Sequence, residues 1–329
     1  MITRSRSSPK SHLKKNESLQ KIESKPSYID DYLDVLMKQL AIEMIQPIKQ
    51  SCDEMRLKIP ISYDDIPSME KPKAIFIAGA PGSGKTYLMT HLIPNNFKYA
   101  LYNVDLYQEH LLKTNGLFEN KEREKTIRNE LQAEHTNITP KELDKLTQSH
   151  IASIIATSMA ISQKCMREDF NQMLIKKLPI VIDRPGNRAS TVREDKKKLE
   201  KAGYQTIMIM VYVSPITALQ RNQLRERHVH PPRILDAWIG CMNNIATYKT
   251  LFGENFFLIQ NDSSPFEITA KELESYIPPS QVPDYLKKIK KILKKSLSFT
   301  SIDNVYLSVQ SFLAIQNGGH RHKRQKIKK

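Results

Sequence analysis

A chain of 329 residues, 40% of them hydrophobic, can bury one large core or a core with appendages. No apolar run approaches the ~18 to 20 residues that span a bilayer. The three scattered cysteines, Cys52, Cys165 and Cys241, form no C-x-x-C pair, so neither a disulfide framework nor a zinc site is expected and a reducing compartment is the natural reading. The net charge of +16 sits mostly at the ends: residues 1–30 carry net +4 and residues 317–329 net +6, so the bulk of the chain is only mildly basic and offers weak grounds for a nucleic-acid-binding core.

Residues 1–27 are polar, basic and serine-rich, the composition of a disordered tail, and no apolar stretch follows Met1 to suggest a secretory signal. Apolar residues recur at helical spacing over about 28–57, interrupted near Pro47, and residues 58–72 hold three prolines and several acids, as a linker would. Five short apolar runs then read as buried strands: Lys73 to Ala80, Tyr99 to Asp105, Leu178 to Asp183, Thr206 to Val213 and Phe256 to Gln260. Helical stretches fill the gaps, and the longest, 106–177, is charged and periodic enough for several helices. Strands alternating with helices predict an α/β fold with a parallel sheet covered on both faces. Beyond the last strand, Leu286, Ile289, Ile292, Leu293 and Leu297 share one face of a lysine-rich helix, so its apolar side is expected on the core and its lysines in water. A weaker apolar segment occupies 302–315. The chain thus divides into a tail (1–27), a helical extension and linker (28–72), a central α/β domain (73–265), a helical extension (266–316) and a basic tail (317–329).

Chemistry concentrates in the central domain. Gly79, Ala80, Pro81, Gly82, Ser83, Gly84, Lys85 and Thr86 fit G-x-x-x-x-G-K-[ST] at every position, between a predicted strand and a predicted helix. Glycines let backbone N–H groups close on phosphate oxygens, and the following helix points its N-terminus at the anion. Lys85 is then placed for the β/γ-phosphates of ATP and the Thr86 hydroxyl for Mg²⁺. Asp105 ends the second run, where a carboxylate could take the proton of an attacking hydroxyl; the alternative is a surface acid that opens the next helix. Ile180 to Asp183 reads as a second phosphate-site strand whose terminal Asp183 would hold Mg²⁺ directly or through water. Arg184 and Arg188 flank the Pro185-Gly186-Asn187 turn and could contact substrate phosphate, or could face solvent or an acid. Downstream, Arg221 and Arg225 fall four apart, on one face of a predicted helix, as lid arginines would. His228 and His230 form a lone H-x-H, which is more often surface histidine than a metal site.

Together these residues resemble the zeta-toxin and polynucleotide-kinase-like branch of P-loop kinases. The resemblance covers about 73–262 and rests on Gly79 to Thr86, on Asn103-Val104-Asp105, on Val181 to Arg188, and on Arg221 to Arg233 with its His-Pro-Pro-Arg stretch. It implies a kinase-type sheet order, a three-layer core, Mg-ATP as donor, Asp105 as the base, and Lys85, Arg221 and Arg225 as charge stabilisers. The branch includes kinases for nucleotide sugars and for nucleic-acid 5′-hydroxyls, so the acceptor is left open. This chain departs from the zeta pattern at Asp183-Arg184-Pro185, where zeta-type enzymes carry Glu-Gly-Thr, which weakens the case for a nucleotide sugar; its 106–177 segment is also longer. Three readings follow: a Mg-ATP-dependent kinase acting on a hydroxyl of a small or nucleotide-type acceptor, a polynucleotide 5′-hydroxyl kinase aided by the basic tails, and an ATP-binding scaffold without transfer. The expected location is intracellular, cytoplasmic, or nuclear if the C-terminal tail is a localisation signal.

Overall fold

A computed structural model describes residues 63–114, 121–135, 138–225, 229–263 and 267–314. The expectations for 1–27, 28–57 and 317–329, and for Arg227 and His228, fall outside the described residues.

All five predicted strands form: β1 (Lys73–Ala78), β2 (Ala100–Tyr102), β3 (Ile180–Arg184), β4 (Gln205–Tyr212) and β5 (Phe256–Gln260). They make one wholly parallel sheet in the order β2-β3-β1-β4-β5. β1 lies at the centre and is buried along its whole length, which is why it reads as an unbroken apolar run. Its side chains alternate between two cores, as the two-residue period of a strand requires. Ala74, Phe76 and Ala78 enter the larger core with Met208, Met210 and Tyr212 of β4, while Ile75 and Ile77 enter the smaller one with Ile207, Ile209 and Val211.

The smaller core is covered by α1 (Lys85–Leu92), through Leu88, Met89 and Leu92, and by α11 (Ile302–Ala314), through Val305, Val309 and Leu313. The larger core collects most of the remaining helices: α2 (Val104–Thr114), α4 (Pro140–Ile175), α5 (Ala189–Lys201), α7 (Pro231–Asn243), α8 (Ile245–Phe252) and α10 (Val282–Leu293). The layers are therefore helix, sheet, helix, the three-layer α/β arrangement expected. On α10 the apolar face packs inward through Val282, Tyr285, Ile289 and Ile292, and the lysines stay exposed.

The 106–177 region forms α2, α3 (Lys121–Glu134) and α4. α4 alone has 36 residues, about 54 Å of helix at the standard rise. It starts at a capping box in which Thr139 and Glu142 satisfy each other's backbone N–H, with Pro140 in the first turn where its missing donor costs nothing. Buried Ser158 and Ser162 interrupt its apolar face, and Ser158 Oγ accepts a bond from Gln108 of α2 at 3.0 Å. Tyr107 of α2 donates to the buried carboxylate of Asp169. α2 is thus fastened to α4 by polar contacts as well as packing, and that fixes the end of β2. Among the described residues no helix is long and apolar enough to cross a membrane. Cys241 is a free, buried thiol.

Candidate active site

The carboxyl ends of β1, β2 and β3 open onto a cavity of about 510 Å³ lined by Gly82, Gly84, Lys85, Thr86, Asn103, Asp105, Asp183, Arg184, Arg221 and Arg225. Parallel sheets place their ligand crevice at this edge because the backbone turns there into the following helices.

The glycine-rich loop forms its wall. Gly82 has φ +82°, and a Cβ there would come within 2.5 Å of the Ala218 carbonyl on α6 (Pro215–Gln223). Glycine therefore lets α6 sit directly on the loop, and one turn later α6 delivers Arg221. The Arg221 guanidinium reaches the carbonyls of Gly82 and Ser83 at 3.4 and 3.5 Å and donates to Asn261 O at 3.0 Å. Asn261 in turn donates to Ser83 O at 2.8 Å, so the residue after β5 braces both loop and arginine. Lys85 donates to Gly79 O at 2.9 Å, which lays its ammonium along the loop. α1 begins at Lys85, and its first-turn N–H groups have no intrahelical acceptor.

Opposite the loop stand two acids. β2 ends at Tyr102, earlier than its apolar run suggested, because Asn103 caps α2: its side-chain oxygen accepts from the N–H groups of Asp105 and Leu106 at 2.9 and 3.4 Å. Asp105 accordingly lies in the first helical turn and is exposed, the acid that opens the next helix, and it lines the cavity. The other end of the Asn103 amide donates to Asp183 Oδ2 at 3.0 Å. One asparagine thus positions both acids, a role nothing in the sequence marked beyond an Asn in capping position. Burial pushes the Asp183 carboxyl above the usual range; the charges of Lys85 and Arg225 oppose that rise and the Asp105 charge adds to it. Lys85, Asp105 and Arg225 thus all act on the Asp183 carboxyl.

The arginines sort differently from the sequence expectation. α6 stops at Gln223, so Arg221 and Arg225 do not share a helix face, although both line the cavity. The exit is closed by Asn222, whose side chain bonds both the N–H and the carbonyl of Val229 at 2.9 Å. His-Pro-Pro-Arg is the start of α7, with His230 at its N-cap and exposed. Arg184 already has partners: Asp195 at 2.9 Å, the Tyr102 hydroxyl at 2.6 Å, and the Tyr102 ring beneath it. Arg188 is exposed at the start of α5 and faces a neighbouring cavity, not this one.

The turn between Arg184 and Arg188 is held from behind. Gly186 has φ +74° and presses on Ala78 of β1, where a Cβ would come within 2.7 Å. Its carbonyl accepts from Tyr248 at 2.5 Å and Asn244 at 3.4 Å, and the Pro185 carbonyl accepts from Cys241 Sγ at 2.8 Å and from the Gly79 N–H at 3.0 Å. Burial pushes the Cys241 thiol up to about 12, so it stays a donor. The side-chain braces from Cys241, Asn244 and Tyr248 come from some 60 positions away, and no local pattern announced them.

Residues 62–165 match the family described as zeta toxin. No curated protein matches the chain. Among solved structures, the PezAT toxin–antitoxin system of Streptococcus pneumoniae aligns at 12% identity over 82% of this chain and 98% of that chain, with a TM-score of 0.40. The AvrRxo1-ORF1:-ORF2 complex with ATP aligns at 11% identity over 87% and 90%, TM-score 0.35. The sulfotransferase domain of the olefin synthase from Synechococcus PCC 7002 aligns at 14% identity over 76% and 98%, TM-score 0.28. Those scores carry no argument about chemistry. The family match does bear on the site, since it takes in the glycine-rich loop, Asn103 and Asp105 but stops short of Asp183 and the arginines: over residues 62–165 the chain is zeta-toxin-like.

Proposed function

We propose that the protein is a Mg-ATP-dependent kinase that transfers the γ-phosphate to a hydroxyl group. The observation that carries this reading is the convergence of Lys85, Thr86, Asp105, Asp183, Arg221 and Arg225, from four separate segments, on one cavity at the carboxyl edge of a parallel sheet. Phosphoryl transfer asks for this set: donors around the phosphates, cations for the developing charge, a hard-metal site and a proton acceptor.

Each residue has a role its position supports. The loop from Gly79 to Thr86 would cradle the phosphates with backbone N–H groups, and Lys85 would turn from Gly79 O to the β/γ oxygens. Arg221, already braced on the loop, and Arg225 would balance charge on the transferring group. Asp105 would accept the proton of the acceptor hydroxyl. The Thr86 hydroxyl and the Asp183 carboxylate are oxygen donors that suit Mg²⁺, and no cluster of three His, Cys, Asp or Glu among the described residues offers a dedicated metal cage. Two protein oxygens completed by phosphate oxygens are the usual arrangement for this ion. Held by Thr86 and Asp183, Mg²⁺ would supply charge neutralisation to the phosphates. The polynucleotide alternative leans on the basic tails, which lie outside the described residues.

Transfer of labelled γ-phosphate from ATP to a panel of hydroxyl compounds tests the reading. Lys85→Ala and Asp105→Asn are each expected to lose more than ~100-fold in transfer while the fold persists. Intact ATP binding with no acceptor labelled, and no effect of Asp105→Asn on any measured rate, would sink it in favour of a nucleotide-dependent scaffold.

A further inference from the structure

A second cavity, of about 590 Å³, adjoins the first and shares Arg184 and Pro185 with it. The two meet at the start of α2, where Val104 lines the second cavity and Asp105 the first. A molecule seated in the second cavity would therefore reach the first beside the carboxylate proposed as base. Most of its walls come from beyond the zeta-toxin match: the end of α4, the turn after β3, and α5.

Its lining is unusual for a small-molecule pocket, where apolar and aromatic groups commonly dominate. Four cations, Arg167, Arg184, Arg188 and Lys198, face two acids, Glu194 and Asp195. Arg184 is paired with Asp195, and the Lys198 charge also acts on that carboxylate. Arg167 and Arg188 are exposed at the cavity and form no ion pair with any described residue. Gln163, Asn187 and Thr191 add neutral hydrogen-bonding groups.

The two aromatic residues at the wall are committed elsewhere. Tyr102 carries the Arg184 guanidinium over its ring at 4.7 Å and meets Phe170 at 4.8 Å, and both rings are buried. Among the described residues lining this cavity no aromatic face is left on which a nucleobase could stack, although stacking is a main way that proteins hold unpaired bases. An excess of positive charge without a stacking platform selects a compact, hydrophilic anion.

We infer that this second cavity is the acceptor site and that it takes a small hydroxyl compound carrying a phosphate group, of the sugar-phosphate or polyol-phosphate type, whose phosphate is held by Arg167 and Arg188. The assignment of the bound molecule as acceptor rests on the kinase reading; its binding does not. Binding is therefore measured first, without ATP, by calorimetry with ribose 5-phosphate, glucose 6-phosphate, glycerol 3-phosphate, ribose and uridine 5′-monophosphate. Wild type is compared with Arg167→Gln, Arg188→Gln and Lys85→Ala, the last removing nucleotide binding in the first cavity. At least one sugar or polyol phosphate is expected to bind ~100-fold more tightly than ribose. Arg167→Gln and Arg188→Gln should each weaken it ~10-fold, since each removes a charge-assisted contact to phosphate, and Lys85→Ala should change it less than twofold. The inference is overturned if none of the three phosphates binds, if neither arginine change matters, or if uridine monophosphate binds ~10-fold more tightly than ribose 5-phosphate in the Lys85→Ala protein. Labelled transfer then separates the two claims: binding without transfer to anything removes the kinase reading alone, whereas transfer to other acceptors but to no bound sugar phosphate removes this one.

Discussion

The two cavities share a wall but are built in opposite ways. The first is mostly backbone: a glycine-rich loop, a helix N-terminus and strand ends, with side chains that reach in from adjoining positions. The second is mostly side chain, projected from α4 and α5 and from a turn whose shape is set by residues behind it. A backbone site tolerates no added atoms, while a side-chain site can be retuned one residue at a time. Substitutions should therefore separate the two by size of effect.

The largest effect is expected at Gly82→Ala. The new Cβ would meet the Ala218 carbonyl at 2.5 Å, a backbone atom of α6 that cannot swing aside, at a φ that L residues rarely adopt. We expect nucleotide affinity to fall more than ~100-fold, with several kcal/mol of strain relieved only by displacing the loop. Calorimetric titration with ATP and a thermal melt check it. Near-normal ATP binding would mean that the loop and α6 are less tightly seated than described.

This division also explains what could be read in advance. Gly79 to Thr86 and Ile180 to Asp183 were legible because each is a contiguous run whose backbone geometry follows from local residue types, and the five strands were legible for the same reason. Asp105 was half legible: the apolar run pointed to it, but Asn103 ended the strand three residues early by capping α2. Arg221 and Arg225 reached the cavity by a route other than the predicted one, since α6 stops between them. The pairing of Arg184 with Asp195, the brace from Cys241 and Tyr248, and the arrival of Arg167 and Arg188 at one cavity depend on tertiary packing between distant segments, so periodicity and motif carry no trace of them.

Asn103 gives a smaller and more selective test. Asn103→Asp keeps a good helix cap, so α2 should still start at the same residue. It also replaces the donor to Asp183 with a second negative charge. Burial already holds the Asp183 carboxyl high, and a like charge beside it raises it further. If metal-dependent transfer needs Asp183 ionised, activity is lost on the acid side, and that limb of the pH profile should move to higher pH in the variant. An unmoved acid limb would remove Asp183 from the metal site.

Tyr248→Phe deletes one hydroxyl behind the Pro185–Asn187 turn while keeping the ring. Loss of its bond to Gly186 O should cost about 1 to 2 kcal/mol, because the carbonyl keeps only the longer contact from Asn244. The turn carries Arg188 into the second cavity, whereas the loop of the first is held mainly by α6 and Asn261. The acceptor KM should therefore rise several-fold with the ATP KM nearly unchanged. Equal changes in both would mean that the turn serves the two cavities alike.

The smallest effect concerns the neighbouring brace and appears only in alkali. Cys241 donates its thiol proton to Pro185 O from a fully buried position, and burial pushes its pKa from 9.0 up to about 12. Between those values the unfolded chain releases this proton and the folded chain keeps it. Stability from this group is thus complete below pH 9 and falls as pH rises, by at most about 1.4 kcal/mol per unit. Buried phenols such as Tyr204, Tyr212 and Tyr248 are also raised and would add their own losses in stronger alkali. Comparing wild type with Cys241→Ala cancels their contribution. Denaturant unfolding at pH 9 and pH 10 should show wild type losing roughly 1 kcal/mol more than the variant over that interval. Parallel losses would place the thiol in contact with solvent, and the turn between the two cavities would then be held by Tyr248 and Asn244 without it.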